Sequence, residues 1–248
     1  MIIYASPLNP AEYFGACGFF ELVASCDPSQ MAHWCDDGLS IVGYEEKEAK
    51  RLIHDLVNAP LNKVDVWEGK NSTRPFWVEM LDSELCILMD WWERRDGSDK
   101  TEWKCFAANQ TALNKFRDLQ LLGRQLVDSV TGPSECLQLS ATISGRLGFD
   151  PRSSWSSLDT GFSPNDIKGG MEKVPTYPLA ELLTCFAAQR WPFRFRGRQG
   201  TYSVWRDPLP LAVARVVAAT RGESFTYFRA ERAKGFNAFT YSRPGAAF

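Results

Sequence analysis

The order of apolar patterns along this 248-residue chain constrains its fold more than any other feature. A short apolar run, MIIYAS, precedes a helical pattern in EYFGACGFFELVASC, a hairpin pattern at residues 32–44 and an amphipathic helix in EEKEAKRLIHDLVNAP. Strand-like runs follow at PFWVEML, LCILMDWW and TEWKCFAA. Runs of strands and helices in this order are typical of an α+β domain. We predict a mixed, mainly antiparallel sheet with helices, and the β-α-β-β-α-β start is compatible with a ferredoxin-like fold.

Residues that favour helix ends and turns support this division. Asn9 is a predicted N-cap with Pro10 in the first turn of the first helix, and Asp27-Pro28 is predicted to end it. Asp36-Asp37-Gly38 predicts a tight type I′ hairpin turn. Asn109 is the predicted N-cap of a long helix in NQTALNKFRDLQLLGRQLVDSV.

The second half of the chain shows weaker patterns with the same mixture of elements. ECLQLSATISGRLGFD is predicted to be extended, and YPLAELLTCFAAQRW to be a helix. FRFRGRQGTYSVW predicts a second hairpin, DPLPLAVARVVAAT a short helix and SFTYFRAERAKGFNAFTYS a final pair of strands.

Composition places the chain among soluble globular proteins, with 44% hydrophobic and 23% charged residues. The sequence contains no run of about 18 apolar residues, so we predict no transmembrane helix. The N-terminus lacks the basic and apolar regions of a signal peptide. The seven cysteines stand at irregular spacing in apolar contexts, which favours reduced core thiols. We therefore expect a cytoplasmic protein without a membrane partner.

Charge is distributed unevenly although the net charge is only −2. Residues 190–248 contain eleven Lys or Arg and three acids, so they carry +8 while the first 189 residues carry −10. This asymmetry suggests two surfaces with different partners. We accordingly predict an acidic α+β part at residues 1–135 and a loop-rich, basic part at 136–248, within one compact unit.

Residues 148–167, GFDPRSSWSSLDTGFSPNDI, fit neither a helix nor a strand. Two X-Pro steps and several Ser, Asp, Asn and Gly residues predict turns, and long ordered loops usually exist for binding. The aromatic residues predicted to anchor the loop are Phe149, Trp155 and Phe162. The residues predicted to face nucleic acid here are Arg146, Arg152, Ser163 and Asn165. Asn165 is equally compatible with a simple Asx turn.

The basic C-terminal part is the best candidate for a nucleic-acid contact. Phe193 and Phe195 alternate with Arg194 and Arg196, so a strand would place the arginines together on one face. Guanidinium groups bind phosphates with forked hydrogen bonds, although a solvated sheet face would show the same pattern. The predicted contacts from this part are Arg190, Arg194, Arg196, Arg198, Arg206, Arg229, Arg232 and Lys234.

Catalytic and metal-binding patterns are weak. His33 lies near Cys26 and Cys35, but the usual short Cys-x₂₋₄-Cys spacing of a zinc site is missing. His54 sits on an amphipathic helix, where a surface position is the simpler interpretation than a general base. We therefore predict no enzyme activity, no metal and no cofactor.

Three segments resemble signatures of one known family. They are SPLNPAEYFGACGFFELVA, GRLGFDPRSSWSSLDTGFSPND and YPLAELLTCFAAQRWPF. They are similar to the small Cas8-like large-subunit family of type I-U (I-G) CRISPR effector complexes, the Csb-three/Csx-fourteen group. The residues of this chain that match those signatures are Asn9, Pro10, Phe14, Gly18, Glu21, Phe149, Trp155 and Phe162.

The resemblance implies a non-catalytic nucleic-acid-binding subunit of a Cascade-type interference complex. The implied partners are guide RNA, target DNA, the other Cascade subunits and a helicase-nuclease. The implied roles are recognition of the protospacer-adjacent motif, duplex opening and nuclease recruitment. Two alternatives stay open: a metal-independent endoribonuclease that processes guide RNA with His33 or His54 as its base, and a scaffold that contacts only protein.

Overall fold

The computed structural model describes residues 1–65, 74–92, 111–129, 132–143, 149–153, 174–191, 194–196, 199–220, 227–231 and 239–244. Its α-helices are α1 (Pro10–Cys26), α2 (Glu46–Asn58), α3 (Ala112–Val127), α4 (Pro178–Arg190) and α5 (Leu211–Ala218). Two short 3₁₀ helices lie at Pro133–Gln138 and Pro151–Ser153. No helix in these ranges is long and apolar enough to cross a membrane.

The strands form four antiparallel sheets. They are β1 (Ile2–Tyr4), β2 (Met31–Cys35), β3 (Gly38–Ile41), β4 (Leu61–Lys63), β5 (Phe76–Met80), β6 (Leu85–Met89), β7 (Ala141–Ile143), β8 (Val174–Thr176), β9 (Arg194–Arg196), β10 (Gln199–Ser203), β11 (Leu209–Pro210), β12 (Tyr227–Glu231) and β13 (Arg243–Pro244). The sheet orders are β1-β3-β2-β11, β4-β5-β6, β7-β8 and β13-β12-β10-β9. Every strand pair within the described residues runs antiparallel. The predicted α+β class with a mainly antiparallel sheet is therefore confirmed.

The first helix begins as its sequence predicts. The Asn9 side chain accepts hydrogen bonds from the backbone N–H groups of Ala11 and Glu12, and Pro10 occupies the first turn. Asp27 caps the C-terminal end. Nearly the whole circumference of α1 is buried, since its residues from Pro10 to Ala24 all have little solvent exposure. The helix is therefore the centre of the fold and not an amphipathic surface helix.

The ferredoxin-like expectation holds for three strands and fails at the fourth. β1 and β2 flank β3 in the first sheet, which is the arrangement of a split β-α-β unit with α1 as the crossover. β4 should then join the same sheet, but it pairs with β5 instead. β11 occupies the other edge, beside β2. The short segment Leu61–Lys63 carries no pattern that specifies which sheet it joins.

Three local predictions are corrected by the structure. The N-cap of α3 is Thr111, whose hydroxyl accepts from the Asn114 N–H, and not Asn109. The hairpin at Asp36–Asp37 is confirmed, but a type I′ turn requires positive φ at both residues, and neither has one. Gly38, which follows them, has φ +149° and passes so close to β1 that a Cβ there would lie 2.0 Å from the Ile3 carbonyl oxygen.

The third correction concerns the segment before the loop. Residues 133–138 form a 3₁₀ helix where an extended segment was predicted from residue 135, and only Ala141–Ile143 is a strand. Pro133 at the start of that helix fixes a φ suited to helical turns. The predicted strand TEWKCFAA and the turn ERRDGSDKTE lie outside the described residues, as does most of the 148–167 loop.

One continuous core joins elements from both ends of the chain. α1 packs against α4 as the central helix pair, and α3 also packs against α4. Tyr13 of α1 stacks on Trp34 with ring centroids 4.9 Å apart and lies 4.1 Å from the Tyr202 ring. The core therefore contains buried residues from both sides of residue 135.

Candidate nucleic-acid interface

The C-terminal sheet aligns three arginines from three different strands. Arg194 of β9 pairs with Thr201 of β10, Thr201 pairs with Arg229 of β12, and Arg229 pairs with Arg243 of β13. Residues directly opposite each other on antiparallel strands share a face of the sheet. The three arginine positions therefore form one row across the full width of the sheet.

A second row beside the first adds one more arginine and one acid. Arg196 pairs with Gln199, and Gln199 pairs with Glu231. Because residues two apart on a strand share a face, this row lies on the same side as the first. We call the side that carries Arg194, Arg196, Arg229 and Arg243 the arginine face. It has four arginine positions and one carboxylate within the described strands.

Solvent exposure distinguishes the two sides of this sheet. On the arginine face, Gln199 and Arg243 are exposed, Thr201 is half-buried and Ser203 is buried. On the opposite side, Gly200 and Tyr202 are buried and Pro244 is exposed. The arginine face is thus open to solvent at Gln199 and Arg243 and covered at Ser203, while the other side of β10 packs on the core.

Hydrogen bonds fasten this sheet to the segment that leads into α1. The Tyr202 hydroxyl lies 2.6 Å from both the Pro7 carbonyl and the Ser242 hydroxyl, and Tyr13 donates to the Ser203 carbonyl at 2.6 Å. Burial raises the pKa of Tyr13 and of Tyr202 well above the ordinary phenol value. Both phenols therefore stay neutral in the folded protein and act as hydrogen-bond donors that fix the sheet on the core.

Other predicted arginine contacts lie apart from the row. Arg190 is exposed in the last turn of α4. Arg206 lies at the β2–β3 hairpin, where its guanidinium is 3.1 Å from the Asp36 carboxylate and both side chains are largely exposed. An ion pair this exposed contributes little to stability and leaves the arginine accessible.

Arg152 has a different environment from the one predicted. Its guanidinium lies 2.6 Å from Asp150 and 2.9 Å from Glu12, and it also donates to the Leu137 carbonyl at 2.8 Å and to Gln138. Its Cζ atom lies 3.6 Å from the centre of the Tyr177 ring.

These contacts occupy the donors of the Arg152 side chain, which is only 13% exposed. Burial lowers its pKa, but the hydrogen bond and charge of Asp150, together with Glu12, outweigh burial and raise it. Arg152 therefore stays charged and links the start of the loop to α1 and to the 3₁₀ helix at Pro133–Gln138. We assign it to the folded structure and no longer to a nucleic-acid contact.

The three segments with the family resemblance converge at one point of the fold. Asn9 of the first segment donates to Asp150 of the second at 3.1 Å. Glu181 of the third accepts from the backbone N–H groups of Phe149 and Asp150 at 3.0 Å each. Glu181 and Asp150 are both almost fully buried. These residues therefore hold the start of the 148–167 loop against the first turn of α1.

The other matching residues also have structural environments. Phe14 and Phe149 are buried in the core, and Phe149 lies 6.4 Å from the Phe239 ring. Gly18 contacts the backbone of α4. Glu21, buried in α1, pairs with Arg215 of α5, with a distance of 3.1 Å to Nε. None of these four residues lies on the solvent side of the C-terminal sheet.

Some predicted site residues lie outside the described part of the chain. They are Arg146, Trp155, Phe162, Ser163, Asn165, Arg198, Arg232 and Lys234. Their predicted roles stay predictions.

The two histidines lie apart, one on a strand and one on a helix. His33 is half-buried on β2, opposite Ser40 of β3. His54 is exposed on α2, with its Nδ1 3.3 Å from the Asn58 side-chain nitrogen. Among the residues with described positions, no group of three or more His, Cys, Asp or Glu side chains is arranged to hold a metal ion.

Sequence patterns alone missed several members of these sites. Arg243 belongs to a strand of two residues, which has no detectable periodicity, and only its pairing with Arg229 places it in the row. Glu12 and Glu181 stand in the first turns of their helices, where an acid is ordinarily explained by the helix dipole. The Asn9–Asp150 contact joins residues far apart in sequence, so no local signal could have revealed it.

No family model, curated protein or solved structure matches this chain.

Proposed function

We propose that this chain binds nucleic acid through its arginine face, as a non-catalytic subunit of a Cascade-type CRISPR interference complex. The observation that carries the proposal is the strand register, which puts the positions of Arg194, Arg229 and the exposed Arg243 in one row across the C-terminal sheet. A guanidinium is always charged and matches the geometry of a phosphate. A row of such positions, with Glu231 as the one acidic position on that side of the described strands, favours binding of a polyanion.

The partners follow from the resemblance and from the charge distribution. We propose guide RNA or target DNA as the ligand of the arginine face, and the acidic first part of the chain as the side that meets other Cascade subunits and a helicase-nuclease. In this proposal the subunit takes part in adjacent-motif recognition, duplex opening and nuclease recruitment. Each of these roles requires binding and positioning, and none requires catalysis by this chain.

The two alternative functions have less support. An endoribonuclease would need His33 or His54 as a base, yet His33 is half-buried within a sheet and His54 stands on the exposed side of α2. A protein-only scaffold has less support because a row of arginine positions across one sheet suits a polyanion. Unchanged guide-RNA maturation after replacement of both histidines would remove the first alternative.

Charge reversal on the arginine face tests the proposal. The variant Arg194→Glu/Arg229→Glu/Arg243→Glu changes the charge by −6 and leaves the core side of the sheet untouched. A matched control is Lys47→Glu/Lys50→Glu/Arg117→Glu, which makes the same change at exposed positions of α2 and α3. Binding to labelled DNA and RNA is measured by fluorescence anisotropy at several salt concentrations, after circular dichroism has shown that both variants are folded.

The face variant should bind at least about tenfold more weakly, and the slope of log affinity against log salt should fall by about 2 to 3, close to one unit for each lost phosphate contact. The control should keep most of the affinity and the slope. Equal behaviour of the two variants would show that only net charge matters and would refute the proposed interface. In the assembled complex, the face variant should also retain less guide RNA or target DNA than the control.

A further inference from the structure

We infer that a cavity between the end of α1, α2 and the β5–β6 turn binds an organic cation through an alkylguanidinium or alkylammonium group. The cavity has a volume of about 360 Å³, which lies in the range of small-molecule sites. It shares no residue with the arginine face. The inference therefore goes beyond the proposed function and does not depend on it.

Asp55 of α2 is the buried charged residue of this cavity. It is only 5% exposed, and its Oδ2 oxygen accepts hydrogen bonds from the Ser83 N–H at 2.8 Å and from the Ser83 hydroxyl at 2.6 Å. Its Oδ1 oxygen accepts no hydrogen bond from the part of the chain that the structure describes. Burying a carboxylate is costly unless its oxygens meet donors. Asp55 therefore offers one charged acceptor to a ligand in the cavity.

Gln30 contributes a second acceptor, from the segment that follows α1. Its side-chain nitrogen donates to the Asp27 carboxylate at 2.7 Å, and this bond fixes the orientation of the amide. The Oε1 oxygen of Gln30 is buried and has no donor among the described residues. Because two acceptors without donors line one cavity, the ligand that fits them carries several N–H groups.

The charge of the lining favours a cation over a neutral donor. Asp27, Glu48 and Asp82 line the cavity together with Asp55, and Arg51 is also present, so four carboxylates and one guanidinium give a net charge of −3. Arg51 donates to the backbone carbonyl of Asp82 at 2.8 Å and, within the described residues, to none of the four carboxylates. A cleft lined mainly by one sign of charge raises the local concentration of the opposite ion.

Cys26 and Tyr44 line the cavity as neutral groups at neutral pH. Burial and the negative charge of Asp55 raise the pKa of the Cys26 thiol, although Arg51 opposes them. Burial, with smaller contributions from Cys26 and Glu48, raises the pKa of Tyr44 to about 12. The half-buried Tyr44 ring adds an aromatic surface of the kind that attracts cations.

Apolar side chains indicate that the cation has an organic stem. Val23 and Leu52 line the cavity and are almost fully buried, so they can pack against an alkyl chain. Among the residues that the structure describes, these acids do not form a group that could hold a metal ion. A guanidinium has five N–H donors and an ammonium three, which suits acceptors on separate elements. Agmatine has this chemistry, and so does an arginine side chain of a partner protein.

The test uses the full chain with two cationic ligands and one anionic control. The cations are agmatine and a blocked pentapeptide with a single arginine between alanines, and the control is glutarate, a dicarboxylate of similar length. Isothermal titration calorimetry gives the dissociation constants. Cys26 gives a second measurement, because it is exposed and lines the cavity, whereas the exposed Cys86 does not line it. Alkylation of each thiol by iodoacetamide is followed by peptide mass spectrometry.

Two variants with a control locate the site. Asp55→Asn removes the charge but keeps the size and an oxygen that can accept from Ser83, while Asp118→Asn makes the same change at an exposed position of α3. The wild type should bind one of the cations with a dissociation constant of about 1 mM or tighter. Asp55→Asn should bind it at least about tenfold more weakly, because a charge-assisted hydrogen bond is lost. Asp118→Asn should bind like the wild type.

Glu48→Gln keeps the test decisive if Asp55→Asn does not fold. Glu48 is exposed at the cavity, so its neutralisation should leave the fold intact and weaken binding by about two- to threefold. Bound cation should also slow alkylation of Cys26 severalfold in the wild type and leave the rate at Cys86 unchanged. Tighter binding of agmatine would identify a free small molecule as the ligand, and tighter binding of the peptide an arginine of a partner; either order supports the inference.

Three results would overturn the inference. The first is that neither cation binds at about 10 mM or that glutarate binds as tightly as they do. The second is that folded Asp55→Asn binds as tightly as the wild type. The third is that bound cation leaves the alkylation of Cys26 unchanged. None of these results bears on the arginine face, whose charge-reversal variant is tested separately with DNA and RNA.

Discussion

Gly18 of α1 lies directly against the backbone carbonyl of Leu183 of α4: a Cβ atom at position 18 would be 1.9 Å from that oxygen. No side-chain rearrangement can relieve such a contact, because the obstacle is backbone. The two helices form the most extensive contact between elements of the described fold. The close approach at Gly18 therefore sets the distance between the two central helices.

Gly18→Ala should destabilise the protein strongly. Alanine by itself would favour the helix by about 1 kcal/mol, but the helices would have to separate, at a cost that overpacked cores place at about 1 to 3 kcal/mol and that a backbone obstacle puts at the upper end. Thermal and urea unfolding measure the change. Gly132→Ala is the control, because the space around Gly132 is open and its φ of −154° suits any residue. A Gly18→Ala protein as stable as the wild type would show that α1 and α4 pack differently.

Replacing Arg152 should unfold the start of the loop before it affects any ligand. Arg152→Gln leaves Asp150 and Glu12 buried without their cation, and breaking a buried ion pair in this way costs about 3 to 5 kcal/mol. Arg206→Gln removes an exposed pair and should cost less than about 1 kcal/mol. Urea unfolding gives the free energy of unfolding of the Arg152→Gln and Arg206→Gln proteins for comparison. A stable Arg152→Gln protein with weakened nucleic-acid binding would instead restore Arg152 as a contact.

The ion pair between Glu21 and Arg215 should stabilise the docking of α5 on α1. Glu21 is 5% exposed and Arg215 is 27% exposed at the side chain, so solvent screens this pair less than a surface pair. A double-mutant cycle with Glu21→Gln and Arg215→Met should give a coupling energy of about 1 to 2 kcal/mol. The same cycle on Asp36 and Arg206 should give less than about 0.5 kcal/mol. Equal couplings would show that the Glu21–Arg215 pair is as well solvated as the surface pair.

Alkaline pH should destabilise the fold through its buried thiol at Cys136. Burial raises the pKa of Cys136 from 9.0 to about 12. Below pH 9 the Cys136 thiol is neutral in both the folded and the unfolded protein, so its ionisation does not lower the free energy of unfolding. Between pH 9 and 12 the unfolded chain ionises while the folded one does not, so stability falls by up to about 1.4 kcal/mol per pH unit for this group.

Unfolding free energies measured from pH 8 to 11 check this expectation. Cys136→Ala should lower the slope of stability against pH above pH 9, although it also removes some packing at every pH. Cys86→Ala, at an exposed position, is the control. Parallel slopes for wild type and Cys136→Ala would mean that the Cys136 thiol ionises equally in the folded and unfolded states.

Local sequence patterns were sufficient to predict a helix or a hairpin wherever one short segment specifies its own conformation. Asn9 and Pro10 predicted the start of α1, the apolar stretch at 178–190 predicted α4, and the alternation around Arg194 and Arg196 predicted a hairpin with both arginines on one face. These features depend on caps, periodicity and the two-residue repeat of a strand, which operate within a few residues.

Tertiary structure decided the features that join distant segments. Only strand pairing brings Arg229 and Arg243 into the row of Arg194, and only folding turns Arg152 away from solvent onto Asp150 and Glu12. Register between distant strands and the partner of a buried charge depend on the packing of the whole core, which no local pattern encodes. By itself, therefore, the sequence determined the main helices, the β2–β3 hairpin and the basic character of the C-terminal part. The fold decided which arginines share a surface and which one is structural.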